Sequence, residues 1–125
     1  MKFIKALAAL CLVAPLIIGS AVAQDRGSGR TMTDMAPKPS DPPVIQAYKQ
    51  THMDMMKGMD VPLTGEPDVD FAHKMIPHHQ AAIAMAKIEL QYGKDPELKR
   101  MAEKMISDQE KEIAMLKAWL TKSGK

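Results

Sequence analysis

The sequence has almost no cysteine and few aromatic residues. Its single cysteine, Cys11, lies in an apolar run near the N-terminus, and aromatic residues make up 4% of the 125 residues. With only one cysteine no disulfide can form within the chain, so the fold must be held by packing alone. A soft-metal site outside the N-terminal run would have to use imidazole and thioether groups rather than thiolates.

The first 23 residues have the pattern of a secretory signal peptide. Lys2 and Lys5 precede an apolar stretch from Ala6 to Gly19, and Ala21-Val22-Ala23 is typical of a cleavage site. The apolar stretch is shorter than the roughly 20 residues of a comfortable membrane span. We therefore expect cleavage after Ala23 and release into the periplasm or the medium, without membrane attachment. An uncleaved N-terminal anchor is the alternative.

An excess of charge of one sign is also missing once this segment is removed. The whole chain has 17 basic and 15 acidic residues, and the loss of Lys2 and Lys5 leaves equal numbers. Neither net charge nor a basic patch then supports a nucleic-acid partner. Since no serine or cysteine lies near the histidines as a nucleophile, no enzymatic activity is predicted.

The remaining chain has the pattern of a short leader followed by one all-α domain. Residues 24–41 are polar and rich in glycine, serine and proline, which is typical of a disordered leader, and they include Met32 and Met35. Residues 42–125 show no β-strand period. Their apolar residues recur at helical spacing in three segments, which predicts one helical domain with three main helices.

Capping residues define the predicted ends of these helices. The first is expected to start at Asp41-Pro42-Pro43, with the aspartate as cap, and to end at Gly58. The second should run from about Asp68 to Tyr92, with Gly93 as a left-handed stop. The third begins at Asp95-Pro96, a cap followed by a proline in the first position. Because the link between the last two is short, they should form an antiparallel hairpin.

The second predicted helix carries most of the metal-ligating side chains. Three of the four histidines lie between His73 and His79. On a helix Met75 and His79 are neighbours, whereas His78 and Met85 are seven apart and nearly eclipsed. A set of imidazole and thioether groups favours a soft cation such as Cu(I) or Ag(I).

A complete site would need ligands from more than one helix face. His78 and His79 diverge by about 100° on an ideal helix, so a bend at Pro77 or a facing helix must supply the remaining contacts. The first helix offers a further His/Met face with spacing i, i+4, i+7. The predicted metal ligands are His78, His79, Met75, Met85, His52, Met56 and Met59. Core packing is the competing interpretation of the methionines.

Two polar residues in the apolar stripe of the third helix are predicted to support such a site. Gln109 and Glu112 fall within that stripe, where polar groups need partners. One of them is expected to accept the second N–H of His79 and to orient its ring. The methionines of the same stripe, Met101 and Met105, are interpreted as packing residues.

Two blocks of the sequence resemble the exported bacterial family called domain of unknown function 305. The first block comprises Thr64 to Phe71, Met75-Ile76-Pro77-His78-His79, Ala82-Ile83 and Met85-Ala86. The second comprises Ala102, Ile106, Gln109, Glu112-Ile113 and Trp119-Leu120. The resemblance, from about Pro43 to Leu120, implies a ferritin-like helical bundle. Some members are CopM-type periplasmic copper-binding proteins, which implies a role in copper or silver tolerance.

The resemblance also bears on individual positions. By it, Met75, His78, His79 and Met85 are the ligand positions that carry over to this chain. Many relatives have an acidic residue where this chain has Ala84, so any role of that carboxylate is lost here.

The function predicted from these observations is an exported, non-enzymatic protein that binds Cu(I) or Ag(I). It would buffer the ion or pass it between a donor and an acceptor protein. One alternative is a Met-rich helical module that docks a protein partner. Another is a ferritin-like di-metal oxidase, for which Asp70-Phe71-Ala72-His73 supplies one carboxylate–x–x–His motif and a homodimer would supply the second. Pairing of two copies is predicted independently, since three helices often need a fourth.

Overall fold

The computed structural model describes residues 35–125, and these form three α-helices. Helix α1 spans Pro43–Met59, α2 spans Pro67–Tyr92 and α3 spans Pro96–Lys122. No β-strand occurs in the described residues, so the all-α prediction with three main helices is confirmed. None of these three helices has the length and apolarity needed to cross a membrane. The predicted signal peptide and residues 24–34 of the predicted leader lie outside the described part of the chain.

Helix α2 lies between the other two helices. It packs against both α1 and α3, whereas no Cα atom of α1 comes within 8 Å of one in α3. Two contacts show that α2 and α3 run in opposite directions. Glu66, just before α2, bonds to Lys125 beyond the end of α3, and His79 of α2 bonds to Glu112 of α3. The predicted antiparallel hairpin is therefore present.

Since α2 is covered on two sides, its buried residues are not confined to one stripe. They include apolar positions toward both neighbours and one histidine: Val69, Ala72, Pro77, His79, Ala81, Ile83, Ala86 and Ile88. Between α2 and α3, Val69, Ala72 and Leu120 form a core cluster against which Ile76 and Leu116 pack. Burial of a Val or Leu side chain of this kind contributes about 1.5–3 kcal/mol.

Helix α1 meets α2 through a close backbone approach. A Cβ atom added at Gly58 would lie 2.7 Å from the Cβ of Pro77, so only glycine fits there without a shift. The Lys74 ammonium donates to the carbonyl oxygens of Met59 at 2.6 Å and Val61 at 2.7 Å. A cation is favourable at this position because the last carbonyls of a helix lack partners and carry partial negative charge.

The predicted cap of α3 is confirmed, and that of α1 is wrong. Asp95 accepts hydrogen bonds from the N–H groups of Glu97 and Leu98 at 2.8 and 3.0 Å. At α1 the N-cap is Pro42, and no side chain bonds to the helix start. Pro42 and Pro43 both lack an N–H, so the Asp41 carboxylate finds its partners elsewhere. It accepts from the Lys38 N–H at 2.8 Å and the Lys49 ammonium at 2.7 Å.

The predicted left-handed stop at Gly93 is also wrong. Gly93 is the C-cap of α2, but its φ of −66° and ψ of 156° are extended values open to other residues. Glycine is favoured here because there is no room for a Cβ atom. An added Cβ would overlap the Glu89 side chain and lie 2.5 Å from the Glu89 carbonyl oxygen.

Candidate functional site

An open groove of about 770 Å³ runs between the N-terminal half of α2 and the C-terminal half of α3. We call it the His79 groove. It is lined by Asp68, Phe71, Ala72, Met75, His79, Glu112, Met115, Leu116 and Trp119. Several of its apolar side chains are open to solvent, with Phe71 60%, Met115 65% and Trp119 39% exposed. The groove therefore combines an accessible apolar wall with one imidazole and two thioethers.

The imidazole of His79 is held in one orientation by α3. His79 is only 8% exposed, and its Nε2 atom lies 2.7 Å from Oε2 of Glu112. A carboxylate accepts hydrogen bonds, so we assign the ring proton to Nε2, which leaves a lone pair on Nδ1. The Nδ1 atom is buried and has no hydrogen-bond partner. The predicted contact from α3 to His79 is thus present, and Glu112 makes it.

Gln109, the other predicted partner of His79, does not make this contact. Its side-chain oxygen is buried without a hydrogen-bond partner. Gln109 is three residues before Glu112 on α3, and it does not line the His79 groove. Only one of the two polar residues in the stripe therefore meets the imidazole.

Two methionines line the same groove as His79. Met75 precedes His79 by one helical turn on α2, as the sequence predicted, and is half-buried. Met115 comes from α3 and was not among the predicted ligands. Its spacing was an available signal, since it lies three residues after Glu112 and four before Trp119 on one helix face.

His78 lies outside the His79 groove. It is exposed, and its ring centre is 6.1 Å from that of His79, with the ring planes at 59°. Metal–nitrogen bonds are about 2.0–2.1 Å long, so two imidazoles that share an ion have ring centres at most about 6.5 Å apart. The observed separation is near this limit. Both rings can reach one ion only if it lies between them.

Met85 lines a different cavity. This second groove of about 290 Å³ lies nearer the loop between α2 and α3, and we call it the methionine groove. It is lined by Met85, Ala86, Glu89, Leu98, Met101, Ala102 and Met105. Met85 follows His79 by six residues, which is about 9 Å along a helix. The structure therefore separates Met85 from the His79 groove.

The predicted ligands of α1 are separated from both grooves. His52 and Met59 are half-buried and Met56 is 38% exposed, but none of the three lines either groove. The reason is the arrangement of the helices, since α1 packs on α2 and no Cα atom of α1 lies within 8 Å of one in α3. Within one chain, the first-helix face and the His79 groove are distinct surfaces.

The aspartate of the Asp-x-x-His motif, on which the di-metal alternative depends, is hydrogen-bonded to the loop before α2. The Asp70 carboxylate accepts from the Thr64 N–H at 2.7 Å, the Thr64 hydroxyl at 2.8 Å and the Gly65 N–H at 3.0 Å. These bonds, with those from Thr64 strongest, lower the pKa of Asp70 below its ordinary value of 3.8. Gly65 has a φ of +84°, a left-handed value that favours glycine. Asp70 therefore shapes the loop before α2.

No site made only of the commoner metal ligands is present in residues 35–125. Within that range no three His, Cys, Asp or Glu side chains come together as a metal-binding group. The described part of one chain therefore lacks the ligands for a ferritin-like di-metal centre. A metal site there would have to draw on methionine sulfur.

Comparison with known families finds a match for the α2–α3 hairpin. Residues 68–125 match the family described as Domain of unknown function (DUF305). The hairpin of this chain belongs to the DUF305 family. The match covers α3 and nearly all of α2, and hence the lining residues of both grooves, whereas α1 lies outside it. A search of curated proteins found no match to the chain. The family description names no activity, so a function has to be argued from the residues of the site.

Proposed function

We propose that this chain binds Cu(I) or Ag(I) as cargo in the His79 groove, to buffer the ion or pass it on. Met75, His79 and Met115 are the proposed ligands. The observation that carries the proposal is the His79–Glu112 pair, in which one ring nitrogen meets a carboxylate and the other has no partner. Metal-ligating histidines commonly donate their second N–H to a carboxylate in this way.

The ligand chemistry supports a soft, monovalent ion. Thioether sulfur is neutral and polarizable, so it suits Cu(I) and Ag(I), whereas Zn²⁺ and Mg²⁺ prefer nitrogen, thiolate or oxygen ligands. Thioethers also bind without losing a proton. Of the three proposed ligands, only His79 can be blocked by acid.

Side-chain movement is part of the proposal. The Nδ1 atom of His79 is covered by its surroundings, so an ion reaches it only after neighbouring side chains move. Met75 and Met115 are suited to this, because methionine is unbranched, has three rotatable bonds and adapts to irregular space. Met115 is 65% exposed and can meet the ion at the surface.

The test is a competition for Cu(I) between the purified protein and a chromogenic chelator, without oxygen. Every protein should carry Cys11→Ser, because a thiolate would bind Cu(I) in place of the thioethers. We expect the double variant Met75→Leu, Met115→Leu to lose affinity by at least about tenfold, and Glu112→Gln to lose about 10–100-fold. Leucine conserves volume, so the hairpin should remain folded.

The matched control is the pair Met53→Leu and Met55→Leu on α1, which lies outside the groove. The control should hold Cu(I) as tightly as the parent. Adding His78→Ala to the parent tests whether the exposed imidazole contributes. If the groove double variant holds as many Cu(I) ions as the parent, and with equal affinity, the proposed ligands are excluded.

A second candidate function rests on the exposed apolar wall of the same groove. Phe71, Met115 and Trp119 are each 39% exposed or more, and such surfaces commonly receive the apolar face of a partner helix. The leucine variants separate the two functions because they remove sulfur but keep the surface apolar. A protein-docking role would survive the double substitution, whereas the affinity of the His79 groove for Cu(I) would fall.

A further inference from the structure

We infer a second soft-metal site in the methionine groove, composed of the thioethers of Met85, Met101 and Met105. It takes the same class of ion as the proposed function, Cu(I) or Ag(I), but shares no residue with the His79 groove. The two inferences can therefore fail separately.

The fold brings these three methionines together from two helices. Met101 and Met105 are four residues apart and so lie on one face of α3. Met85 faces them from α2 across the same cavity of about 290 Å³. Between them lie Ala86 and Ala102, which are 5% and 4% exposed. Because alanine is too short to fill the space above it, the long methionine side chains form the rim.

Packing alone explains the exposure of Met85 and Met101 poorly. A core-filling methionine should be buried, but Met85 is 43% exposed and Met101 is 54% exposed. The sequence interpretation of Met101 and Met105 as packing residues holds best for Met105, which is half-buried. Three flexible thioethers around an open cavity are suited to closing on an ion.

The composition of the groove selects the ion. Glu89 is the one charged residue in its lining, and neither histidine nor cysteine is present there. Three neutral sulfur atoms cannot replace the hydration shell of a hard divalent cation, but they match the preference of Cu(I) and Ag(I) for soft ligands. The Glu89 carboxylate can balance the single positive charge from the edge of the groove.

The test uses Ag(I), which needs no reductant, and the full chain carrying Cys11→Ser. Native mass spectrometry should show that the triple variant Met85→Leu, Met101→Leu, Met105→Leu binds one Ag(I) fewer than this parent. The variant Met75→Leu, Met115→Leu should also bind one fewer, and the Met53→Leu, Met55→Leu control should bind the parent number. Equal stoichiometry of the triple variant and the parent would overturn the inference.

A measurement on the unsubstituted groove keeps the test independent of variant folding. With ¹³C-labelled methionine methyl groups, added Ag(I) should shift the signals of Met85, Met101 and Met105 together as one site fills. Movement of the Met75 and Met115 signals alone would support the proposed function and overturn this inference. Movement of the methionine-groove signals alone would do the reverse.

Discussion

Helix α2 meets its two neighbours in different ways. Toward α1 a glycine and a buried proline bring the helices close together at Gly58 and Pro77. Toward α3 long side chains such as Met75 and Met85 line open grooves. A cavity of about 250 Å³ borders this approach, but Met55 supplies its one thioether and no imidazole lines it. The grooves toward α3 are lined by two or three long, flexible methionines, which supply more donor atoms. The difference places the candidate chemistry on the α3 side and a mainly structural contact on the α1 side.

The largest effect is expected from crowding the α1 contact. Gly58→Val should lower the free energy of unfolding by about 1–3 kcal/mol, because the new side chain must displace Pro77 or α1 itself. Urea unfolding followed by circular dichroism measures this. Lys57→Val is the control, as it places the same β-branched residue at an exposed neighbouring position. A Gly58→Val protein as stable as the parent would show that the helices are not closely packed there.

The next largest effect on stability is expected at the contact between α2 and α3. Glu112→Ala removes the acceptor of the buried His79 N–H, which should cost about 1 kcal/mol of stability, the lower end of the range for a lost partner. The lower end applies because the Glu112 side chain is 48% exposed, so water replaces part of the bond. Glu112→Gln retains an acceptor and should cost less.

Glu110→Ala is the matched control for Glu112→Ala, since it removes an exposed carboxylate two residues away. Both can be compared by thermal unfolding. If Glu112→Ala and Glu110→Ala lose stability equally, the His79–Glu112 bond does not stabilise the hairpin.

A smaller, pH-dependent effect is expected in the loop between α1 and α2. Hydrogen bonds from Thr64 and Gly65 lower the pKa of Asp70 from 3.8. A lowered pKa in the folded state means that the carboxylate stabilises the fold fully above about pH 4 and loses this contribution as the pH falls further. Asp70→Asn should therefore melt earlier than the parent near pH 7 and lose less stability between about pH 4 and 2.

Asp68→Asn controls for the loss of one charge at the start of α2, because Asp68 accepts none of the loop bonds of Asp70. Melting temperatures measured at a series of pH values between about 7 and 2 give the dependence of stability on pH for the parent and for each variant. An Asp70→Asn slope identical to that of the parent would mean that the loop bonds do not favour the ionised carboxylate.

The smallest effect is expected on the solvent side of α3, away from both contacts. Lys104 pairs with Asp108 one turn later, and their side chains are 78% and 43% exposed. Water and salt screen such a pair, so Lys104→Gln should leave the melting temperature unchanged at physiological ionic strength. A clear drop would show that this surface stabilises the helix as much as a packed side does.

The sequence predicted the helices well where local chemistry decides them. Asp95-Pro96 marks the start of α3 because cap and proline act within one turn. The prediction was wrong where neighbours decide. Asp41 turns toward Lys38 and Lys49 because the following prolines offer no N–H, and Gly93 is favoured by its closeness to Glu89 rather than by a left-handed turn.

The candidate site was harder to predict, because spacing along one helix does not identify the facing residue. Met75 and His79 share a groove since they are one turn apart on α2. Met85 has a similarly favourable spacing from His78, but it faces the methionines of α3 further along the hairpin. Spacing along α3 places Met115 on one face with Glu112, but only the antiparallel alignment of α2 and α3 brings that face to His79.

The most direct test of the proposed metal site is nitrogen NMR of the His79 ring during addition of one equivalent of Ag(I). In the Cys11→Ser protein, the account predicts a large shift of the Nδ1 signal and a proton retained on Nε2, where Glu112 accepts it. An Nδ1 signal unchanged at saturating Ag(I), or a metal bound through Nε2 with the Glu112 bond broken, would contradict it.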